Sequence, residues 1–154
     1  MDARRSELIE NVRNALKDKK TEGDILQTAV ELIDGFSDRF HWTGFYMLKG
    51  EMLEVGPYIG PVTEHTRITL NKGICGAAAS GKKTIIVDDV NADPRFLACS
   101  LTTRSEIVVP LMDGGTCLGE IDIDSDIPSA FDDDDRAMLE AIAETVVARL
   151  KEIK

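Results

Sequence analysis

Two of the three cysteines in this sequence lie where a thiol could do chemistry, since a thiolate is a nucleophile and can exchange electrons. Cys75 lies in the segment 73–76, Gly-Ile-Cys-Gly, at the predicted start of a short helix. The helix dipole would lower the pKa of this thiol, which predicts a reactive thiolate; a small buried residue in tight packing is the alternative. Cys99 lies in a polar loop, where a thiol is either accessible and reactive or incidental.

The third cysteine, Cys117, has the same parity as Ile121 and Ile123 in a predicted strand, so it is predicted to be a core residue. Three cysteines at wide spacings match neither a secreted disulfide framework nor a zinc motif. His41 and His65 have no partner ligands at metal spacing, so no metal site is predicted.

Acidic residues alternate along the predicted strand that follows Cys117. Glu120, Asp122 and Asp124 share one face, and Glu106 on the preceding strand falls near the Asp122–Asp124 end. Carboxylates gathered in this way repel one another, so at least one should keep its proton to a higher pH than usual. Such a group suits a general acid or a ligand for an ammonium group. A solvated outer face is the alternative.

Helical and alternating periodicities predict the elements that position these residues. Helices are predicted over residues 3 to about 19, from 23 onward, 73–80 and 132–154. Strands are predicted over 42–48, 52–57, 66–70, 84–87, 107–112 and 116–124, with a hairpin turn at 113–115. Residues 88–104 are predicted to form a loop or a mix of loop and short helix. This order implies an antiparallel sheet with the terminal helices on one face. The four aspartates 132–135 are expected to stabilise the start of the last helix, in preference to binding calcium.

Composition restricts the function classes. The chain has 154 residues and a net charge of −10, which favours one domain over residues 1–154 and disfavours nucleic acid and anionic membranes as partners. It has neither an apolar signal-peptide core nor an apolar run of about 20 residues, so a cytoplasmic location is expected. The terminal helices leave homodimerisation open.

Seven short motifs then occur in an order that is specific as a set. They are His41–Tyr46 (HWTGFY), Gly56-Pro57, Thr66–Ile68, Gly73–Gly76, Leu97–Cys99, Ser105–Pro110 (SEIVVP) and Ile121–Ser125 (IDIDS). Together, over about residues 25 to 150, they resemble the free methionine-R-sulfoxide reductases, a family of stand-alone GAF domains. The resemblance implies a GAF-like α+β fold, with an antiparallel sheet, helices packed on one face and a ligand pocket on the other.

The resemblance also implies site roles. It assigns Cys99 as the catalytic cysteine and Cys75 as the resolving cysteine. It assigns Glu106, Asp122 and Asp124 as the carboxylates that hold the substrate and supply a proton. It assigns Trp42 and Tyr46 as the aromatic residues that wall the pocket. His65 stands where many family members have a third cysteine, and Ser100 where an aspartate is usual.

The implied activity is thiol-dependent reduction of free L-methionine-(R)-sulfoxide through a Cys99 sulfenic acid and a Cys75–Cys99 disulfide. No bound cofactor is expected, and a thioredoxin-like thiol would reopen the disulfide. Arg67 could bind the substrate carboxylate, or it is an exposed surface residue. The alternative function is a non-catalytic GAF module that binds a small molecule or senses redox state; a subunit that only docks a partner would leave the acidic strands without a role.

Overall fold

A six-stranded antiparallel sheet carries the central residues of this chain. The computed structural model describes residues 1–96 and 101–154. The strands are β1 (Trp42–Lys49), β2 (Met52–Ile59), β3 (Arg67–Thr69), β4 (Ile85–Val87), β5 (Ser105–Asp113) and β6 (Thr116–Ser125), in the sheet order β3-β2-β1-β6-β5-β4. The helices are α1 (Ala3–Leu16), α2 (Glu22–Asp34), α3 (Gly73–Gly81) and α4 (Asp133–Glu152), with a short 3₁₀ turn at Val90–Ala92.

Three helices cover one face of the sheet and form the main hydrophobic core. The apolar stripes of α2 and α4 pack there against inward residues such as Phe45, Ile107, Ile121 and Ile123, and α1 packs mainly against α2 and α4. Burial of this surface is the main favourable term for the fold. The predicted antiparallel α+β architecture with helices on one face is confirmed. Within the described residues, every helix is too short or too polar to cross a bilayer.

The short helix α3 covers the opposite face of the sheet. Its buried residues are small apart from Ile74, so its backbone lies close to the strands. A Cβ added to Gly76 would lie 2.8 Å from the carbonyl oxygen of Thr69, closer than real Cβ contacts allow. Glycine at position 76 therefore sets how near the helix, and with it the neighbouring Cys75, comes to the sheet.

A bulge in the β5–β6 hairpin reverses the side to which Cys117 points. Leu111 pairs with Gly119 but Met112 pairs with Cys117, so Leu118 is the extra residue. As a result Cys117 packs in the smaller hydrophobic cluster beneath α3, while Leu118 packs against the main core. Cys117 is buried as predicted, but its assignment to the side of Ile121 and Ile123 is wrong.

The start of α4 is fixed by its aspartates, as predicted. Asp132 is the N-cap residue, and it forms a capping box with Asp135. The carboxylate of Asp135 is also buried and accepts a hydrogen bond of 2.8 Å from the Arg5 guanidinium of α1. One residue thus both begins α4 and joins it to α1.

Candidate active site

The central strand β6 places its acidic residues between two flanking rows of side chains. Along the face that α3 covers, Asp124 pairs with Trp42 of β1 and with Glu106 of β5, whose Cα atoms are its register partners. Asp122 pairs in the same way with Gly44 and Val108, and Glu120 with Tyr46 and Pro110. The predicted convergence of Glu106 with the Asp122–Asp124 end of the strand is therefore confirmed.

All four carboxyl groups are removed from solvent. The exposed fraction is 0% for Glu120 and Asp122, 2% for Asp124 and 4% for Glu106. Among the described residues, both oxygens of Glu120, both of Asp124 and one of Asp122 have no hydrogen-bond partner. The alternative of a solvated outer face is wrong, because α3 and the β2–β3 side of the domain cover these strands. Buried, unpartnered polar groups are costly, so their retention points to a function.

Burial raises the pKa of all four carboxyl groups. Desolvation raises the pKa of Glu106, Glu120 and Asp124 well above the usual values, and the charge of Asp122 raises each of them further. Desolvation also raises the pKa of Asp122, but hydrogen bonds with Glu106 and Cys75 favour its ionised form. The pKa of Asp122 is therefore raised less than those of Glu106, Glu120 and Asp124.

Cys75 of α3 faces this cluster directly. Its Sγ lies 3.3 Å from Oδ2 of Asp122 and 4.0 Å from Oε2 of Glu106, and the donor atoms of these three residues all lie within 4.8 Å of one another. Burial first, and then the neighbouring carboxylates, raise the pKa of the Cys75 thiol well above its usual 9.0. The expectation that the helix dipole makes it a thiolate is therefore wrong, because desolvation and negative neighbours outweigh a partial charge at the helix end.

Two aromatic residues of β1 form a wall beside the carboxyl groups. The rings of Trp42 and Tyr46 stack with centroids 6.1 Å apart, and Trp42 also stacks on Tyr58 at 5.0 Å. The indole of Trp42 lies across Gly44, where an added Cβ would come within 2.6 Å of both the indole ring and Tyr58. Only glycine at position 44 lets the indole lie at this point of the strand, beside Asp122.

The segment between β2 and β3 anchors the polar atoms of this wall. The indole N–H of Trp42 donates to the carbonyl oxygen of Pro61 at 3.1 Å, and the hydroxyl of Tyr46 donates to that of His65 at 2.8 Å. Both aromatic side chains are buried, and each is held by ring stacking and by one of these hydrogen bonds. Arg67, by contrast, has a side chain that is 69% exposed and forms an ion pair with Glu54, as expected for a surface residue.

The fold thus gathers all but one of the predicted site residues on one side of the sheet. The exception is Cys99, which lies outside the described residues, so its role stays a prediction. Glu120 was predicted to share the acidic face, since its parity is that of Asp122 and Asp124, but no role was predicted for it. It missed Gly44, for which the signal was a glycine within an otherwise bulky strand.

Comparison with known proteins agrees with this geometry. The GAF domain family model matches residues 23–150. A free methionine-R-sulfoxide reductase from Escherichia coli is 31% identical over 129 residues, which cover 84% of this chain and 74% of that protein. One from Saccharomyces cerevisiae is 43% identical over 110 residues, which cover 69% of this chain and 61% of that protein.

Solved structures extend the similarity to almost the whole chain. The X-ray structure of free methionine-R-sulfoxide reductase from Neisseria meningitidis in complex with its substrate has a TM-score of 0.91 and 31% identity, and covers 98% of this chain and 92% of that chain. Three curated relatives, the yeast protein among them, are matched over 61 to 66% of their own length, which is less than two thirds. The chain belongs to the GAF-domain family and, within it, to the family of the free methionine-R-sulfoxide reductases.

Proposed function

We propose that this chain reduces free L-methionine-(R)-sulfoxide to methionine and takes its electrons from an external thiol. The observation that carries the proposal is the buried contact of the Cys75 thiol with the carboxyl groups of Glu106 and Asp122. Reduction of a sulfoxide needs thiols as electron donors and a proton donor for the departing oxygen, and these groups supply both. The relatives from Escherichia coli and yeast, which are named for this activity, support the same reaction.

In this proposal the carboxyl groups divide the work of holding the substrate and moving a proton. The ionised Asp122 accepts hydrogen bonds from the substrate ammonium group, which accounts for a free amino acid as substrate. Glu106 and Asp124, whose pKa values are raised by burial, keep a proton for the sulfinyl oxygen. Trp42 and Tyr46 enclose the methyl group and exclude water.

The proposed reaction balances with two protein thiols. The Cys99 thiolate attacks the sulfoxide sulfur and forms an S–S bond, while a carboxyl proton passes to the oxygen. The S–O bond breaks, the departing hydroxide attacks Cys99 Sγ, the S–S bond breaks, methionine leaves and Cys99 becomes a sulfenic acid. The Cys75 thiol then attacks the Cys99 sulfur, so that a disulfide forms and water leaves. An external dithiol of the thioredoxin class, as found in the cytosol, reduces that disulfide by exchange and is itself oxidised.

The state of Cys75 supports the order of these two attacks. A thiol whose pKa is raised by burial has little thiolate at neutral pH and is a poor first nucleophile. It is better suited to the second step, where the sulfenic acid is the more reactive partner. The resemblance assigns the first attack to Cys99, and this assignment is tested by substitution.

The test is methionine formation from free L-methionine-(R)-sulfoxide with a dithiol, in the wild type and three cysteine variants. Cys99→Ser is expected to form no methionine. With the pre-reduced chain and no dithiol, Cys75→Ser is expected to form up to one methionine per chain and to retain a sulfenic acid that dimedone traps. Cys117→Ser, which removes a buried thiol that donates to the carbonyl oxygen of Gly119, is the matched control and should turn over like the wild type.

The proposal fails if the reduced wild type forms no methionine. Binding of the sulfoxide without turnover would then favour the non-catalytic binding or sensor module. Equal turnover by Cys99→Ser and the wild type would refute the assigned nucleophile. A poor rate with N-acetylated methionine sulfoxide is also expected, because the acetyl group removes the ammonium charge; an unchanged rate would refute the role of Asp122.

A further inference from the structure

One sulfur and two carboxylate oxygens meet beneath α3 in an arrangement that suits a metal ion as well as an amino acid. The donor atoms of Cys75, Glu106 and Asp122 all lie within 4.8 Å of one another. The residues belong to α3, β5 and β6, and Cys75 is 31 and 47 positions away from the two acids. Three separate elements of the fold therefore fix the three donors.

The distances match the ligand spacing of a tetrahedral site. Zinc with bonds of about 2.3 Å to sulfur and about 2.0 Å to oxygen separates these ligands by about 3.5 Å. The two distances from Cys75 Sγ, 3.3 Å to Asp122 and 4.0 Å to Glu106, bracket that value. Small side-chain adjustments would bring all three donors to bonding distance of one ion.

Unpartnered oxygens at the same place provide a second, independent indication. The other oxygen of Asp122 and both oxygens of Asp124 are buried without a hydrogen-bond partner among the described residues. None of the ion pairs within residues 1–96 and 101–154 involves Glu106, Asp122 or Asp124. A buried carboxyl oxygen with neither a cation nor a donor beside it is stabilised by a bound positive ion.

We propose that Cys75, Glu106 and Asp122 form a site for a thiophilic divalent cation such as Zn²⁺, with Asp124 or water as the fourth ligand. The sulfur donor and the small ligand number favour zinc over magnesium or calcium, which take six or more oxygens. No metal site was predicted from the sequence, because the two histidines have no partner ligands at metal spacing and the three donors are far apart along the chain. Metal bound at this site would exclude the substrate ammonium group. This competition between metal and substrate rests on the proposed function, whereas the metal site does not.

The test uses Co²⁺ as a spectroscopic probe on the reduced, full-length chain. Titration of the wild type should produce a thiolate-to-cobalt charge-transfer band in the near ultraviolet, and added Zn²⁺ should remove it. The band should vanish in Cys75→Ser and should persist in Cys99→Ser and in the matched control Cys117→Ser. Asp122→Asn should weaken Co²⁺ and Zn²⁺ binding by at least about tenfold, as expected for loss of a direct ligand.

Two results would overturn the site. One is the lack of a charge-transfer band in the wild type. The other is a band that survives Cys75→Ser, which would place the metal on another thiol. Circular dichroism of each variant shows whether it is folded, and Asp122→Asn, which keeps the side-chain shape, tests the site if Cys75→Ser does not fold.

The metal measurement is independent of reductase activity, since no sulfoxide is present. The overlap with substrate is tested separately, by single turnover of the reduced chain with and without one equivalent of Zn²⁺ and no external thiol. We expect Zn²⁺ to prevent methionine formation and a chelator to restore it. Methionine formation unaffected by bound Zn²⁺ would refute the overlap, whereas an inactive metal-free chain would refute the proposed function and leave the metal result standing.

Discussion

Replacement of Glu120 by glutamine should change how the stability of this protein depends on pH. Glu120 is fully buried, and neither of its oxygens has a hydrogen-bond partner among the described residues. Burial raises its pKa well above 4.5, and the charge of Asp122 adds to the shift. Glutamine has almost the same shape and no titratable proton, so the variant removes the titration and little else.

The sign and the magnitude follow from proton linkage. In the unfolded chain Glu120 loses its proton near its usual pKa of about 4.3, while the folded chain retains it to higher pH. The stabilising contribution is fully present below the unfolded pKa and is lost as the pH rises to the folded pKa. In that window the unfolding free energy of the wild type falls by about 1.4 kcal/mol per pH unit through this group alone.

Glu106 and Asp124 give similar slopes, but they are present in both proteins and largely cancel in the difference. Relative to the wild type, Glu120→Gln should therefore gain about 1.4 kcal/mol of unfolding free energy between about pH 5 and about pH 6. The assay is urea unfolding at intervals of half a pH unit, followed by circular dichroism and by the fluorescence of Trp42, the only tryptophan.

The matched control is Glu144→Gln, because Glu144 is exposed on α4. Its unfolding free energy should run parallel to that of the wild type over the same pH range. If Glu120→Gln also runs parallel, within about 0.3 kcal/mol, then Glu120 ionises in the folded chain as it does in the unfolded one, and the reasoning from burial is refuted.

Three further predictions test the positions of single residues. Gly44→Ala should destabilise the protein by about 1–3 kcal/mol in urea unfolding and shift the fluorescence of Trp42, since the new methyl group would come within 2.6 Å of the indole. Cys75 should react with iodoacetamide at about pH 7.5 at least about tenfold more slowly than free cysteine, as measured by mass spectrometry, because it is buried and its pKa is raised. Asp135→Ala should lower the urea midpoint by the equivalent of about 3 kcal/mol, because it leaves Arg5 without its buried partner and removes the capping box.

Each of these has a control and an outcome that contradicts it. Gly115→Ala places a methyl group in open space and should leave stability nearly unchanged; an equal effect of both substitutions would show that the indole does not lie across Gly44. Full labelling of Cys75 in urea shows that the peptide can be detected, and rapid labelling of the folded chain would contradict its burial. Asp133→Ala removes an exposed aspartate from the same helix turn, and a midpoint shift as large as that of Asp135→Ala would refute the buried ion pair.

A site that buries four acidic side chains around one thiol needs a rigid backbone, and adjacent strands provide it. Three adjacent strands hold Trp42, Glu106 and Asp124 in register. The hydrogen-bonded backbone therefore keeps the acidic side chains close together although they repel one another. The aromatic wall and α3 exclude water, which strengthens every electrostatic contact inside. The cost of burying these groups is what a ligand, whether the proposed ammonium group or a cation, can offset when it binds.

The amino-acid sequence by itself determined the main elements and the face on which the acidic residues of β6 lie. Alternation along 118–124 separated Asp122 and Asp124 from Ile121 and Ile123, and the hairpin turn at 113–115 brought Glu106 opposite Asp124. Those patterns are local, because the side-chain period of a strand is two and a short turn fixes the register of its hairpin. The order of seven motifs added the family, which comparison with known proteins confirmed.

Only the tertiary structure decided the environment of these residues. The helix start at Cys75 predicted a low pKa, but packing of α3 onto Asp122 and Glu106 buries the thiol among acids and raises it. The parity of Cys117 predicted the main core, but one bulge turned it to the other side. Solvation, neighbouring charge and register slips depend on contacts with other segments, so no local pattern encodes them, whereas periodicity does encode the alternation of faces along an unbroken strand.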